Sequence, residues 1–281
     1  FDAGDRVALG EPGYPSYRQI LKAMSLAPVG LPASEANRLQ PTPEDLAAAG
    51  ADGVRGLILA SPANPSGTML SRERLAALVG AAQARGVSVI SDEIYQGISY
   101  GLETPSILQV EPQALVVNSF SKYWSMAGWR LGWLVVPESG IDAARARMGN
   151  LFLTPPSLAQ HAAAVAMDCT ADLKANVATY ARNREMLLAA LPGMGLARIA
   201  PPDGAFYIYA DIADFTDDSM AFCLALLQDT GVATAPGVDF DPVDGRHFMR
   251  ISFAVSTPLV EEAIARMRPW FAARNRGNRE S

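Results

Sequence analysis

The sequence contains few of the residues on which metal sites, disulfide frameworks and histidine triads depend. Its 281 residues include two cysteines and two histidines. Cys169 and Cys223 lie in apolar, helix-like stretches without metal-ligand spacing, which predicts buried free thiols of the kind found in a reducing cytosol. His161 and His247 are too few for a zinc site or a histidine-based triad. We therefore expect no metal, no disulfide and a cytoplasmic location.

Basic charge and long apolar runs are scarce as well. The formal net charge is −6, which argues against a nucleic-acid surface because phosphate backbones are bound through basic patches. No apolar run is long enough to span a bilayer. A hydrophobic content of 49% with 19% charged residues is typical of a compact globular protein rather than a disordered chain. The expected partners are small molecules, with no nucleic acid and no membrane.

Short apolar runs separated by a helical pattern predict an α/β fold. A helix is predicted at residues 71–85, because Ser71 can cap its start and Gly86 can end it. Strand, helix and strand in this order predict a mostly parallel sheet with helices on both faces. Five runs, several apolar enough to be covered on both faces, are the predicted strands: residues 6–9, 54–60, 87–91, 114–118 and 131–136.

The later part of the chain predicts a smaller α+β domain. A long alanine-rich helical stretch occupies residues 157–191. Alternating runs at residues 205–212 and 247–254 predict strands of a second sheet, and residues 257–271 form an amphipathic pattern that predicts a closing helix. We place the domain change near residue 192. This gives a large domain at residues 1–192 and a small one at residues 193–281.

Lysine is scarce too, and one of the few lysines has an unusual position. The chain has three lysines against twenty arginines. Lys122 ends the run Ser119-Phe120-Ser121-Lys122 just after a predicted strand, and Arg130 follows eight positions later. A lysine amine can form a Schiff base with a carbonyl compound, whereas serine hydroxyls and an arginine suit a phosphate. A lysine that snorkels from a strand end is the alternative for this segment alone.

Two polar segments follow other predicted strands, at the edge where open α/β sheets bind ligands. Residues 61–68 hold two prolines and a glycine, which predicts a rigid turn that directs the Asn64 amide toward a ligand. Asp92, Glu93 and Tyr95 follow the strand at residues 87–91, and the two acids are expected to have different roles because neighbouring strand residues point to opposite faces. A buried aspartate needs a cation, such as a pyridinium nitrogen or a metal. An ordinary turn and a surface acid pair are the alternatives.

An aromatic residue and an arginine complete the set of candidates. Tyr14 lies between Pro12 and Pro15, which suits a ring that stacks on a planar ligand. Arg250 interrupts an apolar predicted strand, and a buried arginine needs an anionic partner such as a carboxylate. A tyrosine packed under its own turn and a structural salt bridge are the respective alternatives.

In their joint order these motifs resemble those of the class I/II aminotransferase family, which belongs to the fold-type I pyridoxal phosphate-dependent enzymes. The resemblance extends from residue 1 to about residue 271. It implies a transaminase that uses pyridoxal 5'-phosphate to move an amino group between an amino acid and a 2-oxo acid. The stretches that carry it are residues 12–17, 61–68, 91–95, 119–122, 128–132 and 248–252.

The resemblance also implies a role for each candidate residue. Lys122 would form a Schiff base with the cofactor aldehyde and, once substrate has displaced it, would move the proton at the substrate Cα. Asp92 would keep the ring nitrogen protonated. Tyr95 and Asn64 would hydrogen-bond the ring hydroxyl oxygen, and Asn64 would also contact the substrate. The other implied contacts are with the ring (Tyr14), the phosphate (Ser119, Ser121 and Arg130) and the substrate α-carboxylate (Arg250).

The same resemblance sets expectations about the rest of the protein. Family members carry a segment before the point where this chain begins, with a helix N-terminus that gives the phosphate backbone N–H groups. This chain is therefore expected to lack an N-terminal segment and to bind cofactor weakly or not at all by itself, whereas its intact parent is expected to be an active homodimer. Residues 151–157 and 205–207 suggest a pocket for an apolar or aromatic side chain.

Two other functions remain open at the level of sequence. The first is a different reaction on the same scaffold, by a β-lyase or a decarboxylase. The second is the aminotransferase-like effector domain of a transcription regulator, which would carry a DNA-binding module upstream.

Overall fold

Nine strands and eight α-helices make up the described part of the molecule, a computed structural model that describes residues 1–50 and 53–277. In chain order they are β1 (Arg6–Glu11), α1 (Pro15–Ala23), β2 (Ala27–Pro32), α2 (Pro43–Gly50), β3 (Val54–Ala60), α3 (Arg72–Gln83), β4 (Ser88–Asp92), β5 (Leu115–Ser119), β6 (Gly132–Val135), α4 (Ile141–Leu151), α5 (Ser157–Ala166), α6 (Thr170–Ala190), β7 (Tyr207–Asp211), α7 (Ser219–Thr230), β8 (Ala235–Pro236), β9 (Phe248–Ser252) and α8 (Thr257–Gly277).

The larger sheet confirms the predicted fold. Its six strands have the order β2-β1-β3-β4-β5-β6, in which β6 runs antiparallel to β5 and the other pairs are parallel. The helix α3 begins at the predicted cap, where the Ser71 hydroxyl oxygen accepts the Arg74 backbone N–H at 3.3 Å. Its buried side chains, Leu75, Leu78, Val79 and Ala82, share one apolar core with β3 and β4. Burial of that stripe fixes the helix on the sheet.

The parallel pairing places the candidate segments at one edge of the sheet. Asp92 is the last residue of β4 and Ser119 the last residue of β5. The turn that holds Asn64 directly follows β3, and the segment with Tyr14 directly follows β1. Because the carboxyl ends of parallel strands meet at the same edge, these segments converge, although they are far apart in sequence.

The smaller sheet is antiparallel and has the order β7-β9-β8. Its core is shared with α6, α7 and α8, and its fully buried side chains include Ile208, Leu226, Phe253 and Phe271. The sheet also meets the first one, because Tyr95 and Ile98 belong to the same core. None of the helices within the described residues is long and apolar enough to cross a membrane.

Several elements differ from the sequence-based prediction. The helical stretch predicted at residues 157–191 is two helices, α5 and α6, which are separated at residues 167–169. Asp168 and Thr170 favour helix ends because their side chains compete for backbone hydrogen bonds. Cys169 lies in this break and is half-buried, so its predicted full burial is wrong, whereas Cys223 is a buried free thiol as expected.

Two strands, β2 and β8, and three helices, α1, α2 and α7, were not predicted from the sequence. Strand β2 contains Pro28 and Pro32 and lacks a continuous apolar run, and an edge strand tolerates proline because one side of its ladder is unpaired. Helix α1 is short and begins at Pro15, a residue suited to a first helical turn.

Candidate active site

A cleft of about 260 Å³ lies between the carboxyl edge of the large sheet and the small sheet. The structure brings six of the nine predicted site residues together in the lining of this cleft. Ten residues form its lining: Tyr14, Tyr17, Ala60, Asn64, Asp92, Ile94, Tyr95, Lys122, Tyr207 and Arg250. The predicted phosphate contacts, Ser119, Ser121 and Arg130, are outside this set.

Asp92 is a carboxylate at the floor of the cleft. The Tyr17 hydroxyl donates a hydrogen bond to its Oδ2, and the Ile94 backbone N–H donates to its Oδ1 at 3.0 Å. Burial raises the pKa of Asp92, while the Tyr17 and Ile94 hydrogen bonds and the positive charge of Lys122 act in the opposite direction. A partly desolvated carboxylate that faces a cavity fits a cationic ligand atom.

Lys122 points into the same cleft from the loop after β5. Its Nζ lies 5.9 Å from the ring centroid of Tyr95 and 5.9 Å from that of Phe206. These two rings contact each other edge to face, with centroids 5.4 Å apart. The amine is therefore held beside an aromatic wall and within electrostatic reach of Asp92. This position is unlike that of Lys22 and Lys174, which are exposed.

Tyr95 joins the two sheets through a hydrogen bond between hydroxyls. Its hydroxyl oxygen lies 2.8 Å from that of Tyr207 in β7, and both side chains are buried. Burial raises the pKa of Tyr95 well above 10.0. Tyr95 is thus a neutral hydrogen-bonding group at the cleft wall near neutral pH.

Arg250 enters the cleft from β9 with its guanidinium held on several sides. Its Nη1 donates to the Asn64 Oδ1 at 2.8 Å. Its Cζ lies 4.4 Å from the ring centroid of Tyr207 and 4.6 Å from that of Phe240. Its Nε is buried and has no hydrogen-bond partner among the residues that the structure describes. A half-buried, incompletely bonded guanidinium that lines a cleft fits a carboxylate ligand.

The hydrogen bond from Arg250 also determines which atom of the Asn64 side chain is left to bind a ligand. With its carbonyl oxygen occupied by Arg250, the Asn64 side chain has its amide nitrogen left to donate into the cleft. Residues 61–70 are buried throughout, so the turn that carries Asn64 is held on all sides.

The predicted phosphate contacts form a separate, more open group. The Ser119 hydroxyl donates to the Leu131 carbonyl oxygen and accepts the Ser121 backbone N–H, each at 3.0 Å. Arg130 is exposed, has a positive φ of 54° and donates from Nη1 to the Ala127 carbonyl oxygen at 2.9 Å. These groups are close in sequence to Lys122, but their side-chain hydrogen bonds remain within residues 119–131.

Tyr14 lies at the mouth of the cleft, and Tyr17 is a site residue that the sequence analysis missed. The Tyr14 ring is 43% exposed and meets the Tyr17 ring edge to face at 5.5 Å between centroids. Tyr17 lies three residues after Tyr14, in the first turn of α1. That spacing puts both side chains on one face of a helix, and it would have identified Tyr17 had the helix been predicted.

Glu93 has a different function from Asp92, as the alternation along a strand predicted. Its buried carboxylate accepts the Ile107 backbone N–H at 2.7 Å and the hydroxyls of Ser91 and Ser106 at 3.2 and 3.1 Å. It therefore anchors the loop at residues 102–107. Within the described residues no group of three or more His, Cys, Asp or Glu could hold a metal ion.

The family model for aminotransferase class I and II matches residues 1–267 of this chain. The chain belongs to this family. The valine–pyruvate aminotransferase of Mycobacterium tuberculosis is 49% identical over 274 residues, which cover 96% of this chain and 70% of the relative.

Two solved structures agree with the family assignment. An aminotransferase from Mycobacterium tuberculosis superposes with a TM-score of 0.93 at 48% identity, over 97% of this chain and 71% of the other. The aspartate aminotransferase of Thermus thermophilus with maleate gives a TM-score of 0.88 at 30% identity, over 96% and 70%.

Membership in the class I and II aminotransferases establishes the reaction and the cofactor. The chain is a pyridoxal phosphate-dependent transaminase with amino acid and 2-oxo acid substrates. The cleft fits this cofactor, because Asp92 offers a carboxylate to a protonated ring nitrogen and Lys122 offers an amine to an aldehyde. The relatives carry aminotransferase names, which favours transamination over the β-lyase, decarboxylase and regulator alternatives.

Proposed function

We propose that Lys122 is the covalent anchor of the cofactor and that Arg250 binds the α-carboxylate of the substrate. The observation that carries this proposal is the convergence of an amine, a carboxylate, a tyrosine hydroxyl and a guanidinium on one cleft of about 260 Å³. Tyr95 and Asn64 are then the donors for the ring hydroxyl oxygen, and Tyr14 is the stacking partner of the ring. The proposed phosphate contacts are Ser119, Ser121 and Arg130.

When bound, pyridoxal phosphate supplies an aldehyde that links to amines and a ring that withdraws electrons from the substrate Cα. Lys122 takes the proton from the substrate Cα and later returns one from its amine. Asp92, whose Oδ2 accepts the Tyr17 hydroxyl, would pair with the ring nitrogen and keep it protonated. Arg250 fixes the direction of the substrate by its carboxylate, so that the Cα–H bond stays within reach of the Lys122 amine.

The proposed substrates are an apolar amino acid and a short 2-oxo acid such as pyruvate. Of the described residues that line the cleft, the cations are Lys122 and Arg250. With both engaged, a second carboxylate on the substrate side chain would have no cationic partner there, and an unpaired buried charge is costly. Tyr14, Ile94 and Tyr207 offer apolar surface instead. The relative named valine–pyruvate aminotransferase, at 49% identity, supports the same substrate pair.

A coupled assay of the holoenzyme tests this proposal. With L-valine and pyruvate, alanine should form in equal amount to 2-oxoisovalerate, and the rate should exceed that with L-aspartate at least tenfold. The Lys122→Ala variant should lose about 10⁴-fold or more in rate, because it lacks both the anchor and the proton carrier. The Lys174→Ala variant, which alters an exposed lysine, should retain the wild-type rate.

Two results would contradict the proposed function. Faster turnover of L-aspartate than of L-valine would refute the substrate class. A Lys122→Ala enzyme with near wild-type activity would refute the anchor.

The homodimer is also a proposal. An exposed apolar stretch at the end of α4 supports it, because Leu151, Phe152 and Leu153 are 74%, 65% and 82% exposed, and contiguous exposed apolar surface marks contact sites. Sedimentation equilibrium of the holoenzyme should give the mass of two chains. A single-chain mass at micromolar concentration would contradict it.

The domain limits and the cellular location are proposals of the same kind. The division into residues 1–192 and 193–281 is supported by the two separate sheets. A cytoplasmic location is supported by the two free cysteines, and the absence of nucleic-acid and membrane partners by the net charge of −6.

A further inference from the structure

Tyr207 contacts both Tyr95 and Arg250, to which the proposed function gives separate roles. Its hydroxyl oxygen lies 2.8 Å from the Tyr95 hydroxyl oxygen. Its ring centroid lies 4.4 Å from Cζ of Arg250. Tyr207 is directly opposite Ser252 in the antiparallel pairing of β7 with β9, so Arg250 is its diagonal neighbour on the same face of the sheet. From the sequence alone, Tyr207 is expected only to line a pocket for the substrate side chain.

The contact with Arg250 is held in place from the other side. The Phe240 ring lies 4.6 Å from the guanidinium carbon, and Asn64 accepts from one edge of the same group. The guanidinium is thus fixed over the Tyr207 ring by two contacts that do not involve Tyr207. A cation over an aromatic face interacts with it electrostatically, so a change in the net charge at Arg250 is felt at Tyr207.

The charge of Arg250 reaches the hydroxyl pair. Burial raises the pKa of both Tyr95 and Tyr207, and the positive charge of Arg250 lowers the pKa of each. A carboxylate bound to Arg250 would offset that charge and make both hydroxyls weaker acids. The other titratable groups that act on the pair are Asp92 and Tyr14, and the Lys122 amine lies 5.9 Å from the Tyr95 ring centroid.

We propose that Tyr207 is a positioning residue that transmits the binding of a carboxylate at Arg250 to the Tyr95 hydroxyl. This inference rests on the proposed roles of Arg250 and Tyr95 and adds a link between them. In the proposed function Tyr95 would donate to the cofactor ring oxygen, and its strength as a donor would then affect the pH at which the cofactor titrates. Binding of a substrate carboxylate therefore changes the titration of the cofactor before any bond at Cα is broken.

The test uses the holoenzyme and a carboxylate that has no amino group to react. The visible absorbance of the bound cofactor is titrated against pH with and without saturating 3-methylbutanoate, which has the carbon skeleton of valine. In the wild type the carboxylate should raise the midpoint of the titration by at least half a pH unit. In Tyr207→Phe, which keeps the ring and loses the hydroxyl, the rise should be less than half as large.

A matched control distinguishes transmission through the Tyr207 hydroxyl from a general effect of packing in the aromatic cluster. Tyr180 lies beside the same aromatic cluster, with its ring centroid 5.6 Å from that of Phe206, but it does not line the cleft. Tyr180→Phe should keep the full wild-type rise. Tyr207→Leu, which also loses the ring under Arg250, should reduce the rise and weaken the binding of 3-methylbutanoate as well.

The outcomes distinguish the link from the function on which it rests. An equal rise in the wild type and in Tyr207→Phe would overturn the link and leave the role of Arg250 intact. No rise in the wild type would overturn both the link and the assignment of the carboxylate to Arg250. A rise that is lost equally in Tyr207→Phe and Tyr180→Phe would show that only the packing of the aromatic cluster matters, which also overturns the link.

Discussion

The two ends of the candidate site are built in different ways. At the ring and carboxylate end, Asp92, Tyr95, Asn64 and Arg250 are bonded to partners from other elements, such as Tyr17 and Tyr207. At the phosphate end, the side-chain hydrogen bonds of Ser119, Ser121 and Arg130 remain within the segment from residue 119 to 131. The first end is held by the tertiary fold, and the second by its own loop.

This difference has a functional consequence. A group held by several elements has little freedom to reorient, so its geometry is preorganised for the step it performs. An exposed arginine in a loop gains less from a charged partner, because solvent screens the interaction and side-chain entropy is lost. We therefore expect substitutions at the first end to have larger effects than substitutions at the second.

The largest of these effects is expected for Arg250→Ala. The KM for the amino acid should rise about 100-fold, because the loss of charge-assisted hydrogen bonds to a carboxylate corresponds to about 3 kcal/mol. Steady-state kinetics with L-valine as the varied substrate measures this change. Arg198→Ala is the control, since Arg198 is an exposed arginine that pairs with Asp211 and Asp214. A rise below threefold for Arg250→Ala would contradict the carboxylate assignment.

The next effect is expected on the free energy of unfolding of the cofactor-free Asp92→Asn variant. Burial raises the pKa of Asp92 above its ordinary value of 3.8. Between the pKa of Asp92 in the unfolded chain and its higher pKa in the folded protein, the unfolded chain releases the proton first. The stability that Asp92 contributes is therefore fully present below the unfolded-state pKa and is lost as the pH rises through the folded-state pKa. Asparagine carries no such charge, so the variant should become more stable than the wild type as the pH rises above the pKa of the unfolded carboxyl group.

Urea unfolding at several pH values measures this difference. The gain should appear above the pKa of the unfolded carboxyl group and then stay constant. Saturating cofactor should reverse the order of stability, because the wild-type carboxylate then has a cationic partner. A difference that does not change with pH, or that falls as the pH rises, would contradict the account of Asp92.

The smallest effect is expected at the phosphate end. Arg130→Ala should weaken cofactor binding by about fivefold, since exposed ion pairs contribute about 1 kcal/mol or less. Arg147→Ala is a matched control, because Arg147 is also exposed and donates to a carbonyl oxygen of its own helix at 3.1 Å. Fluorescence titration of the cofactor-free protein with pyridoxal phosphate measures both affinities. A fold-loss of cofactor affinity in Arg130→Ala that exceeds the fold-rise in KM in Arg250→Ala would reverse the comparison between the two ends.

Most of the site was predictable because it consists of single residues that break a strong local pattern. Lys122 and Arg250 are charges next to or within apolar strands, and Asp92 ends one. Tyr17 and Tyr207 were harder to predict. Their tasks depend on pairing with Asp92 and Tyr95 across 75 and 112 residues, and local periodicity contains no information about such contacts.

The same distinction applies to the fold. Strands β1, β3, β4 and β5 were predictable because each is a short apolar run, and the order strand, helix, strand at residues 54–91 indicates parallel pairing. The edge strand β2 has a proline at each of two positions and no apolar run, so only its pairing with β1 identifies it. The end of α5 has only a weak local signal, since neither glycine nor proline occurs at residues 167–169 and the preference of Asp168 and Thr170 for helix ends is modest.

Peptide mapping after borohydride reduction of the holoenzyme tests the central claim most directly, because the chain has three lysines and each falls in a different segment. Reduction should add one pyridoxyl phosphate group to the peptide that contains Lys122 and leave those with Lys22 and Lys174, both exposed, without it. Two results would contradict the account. One is a pyridoxyl phosphate group on Lys22 or Lys174. The other is an unlabelled Lys122 in a protein that shows the visible absorbance of the bound cofactor.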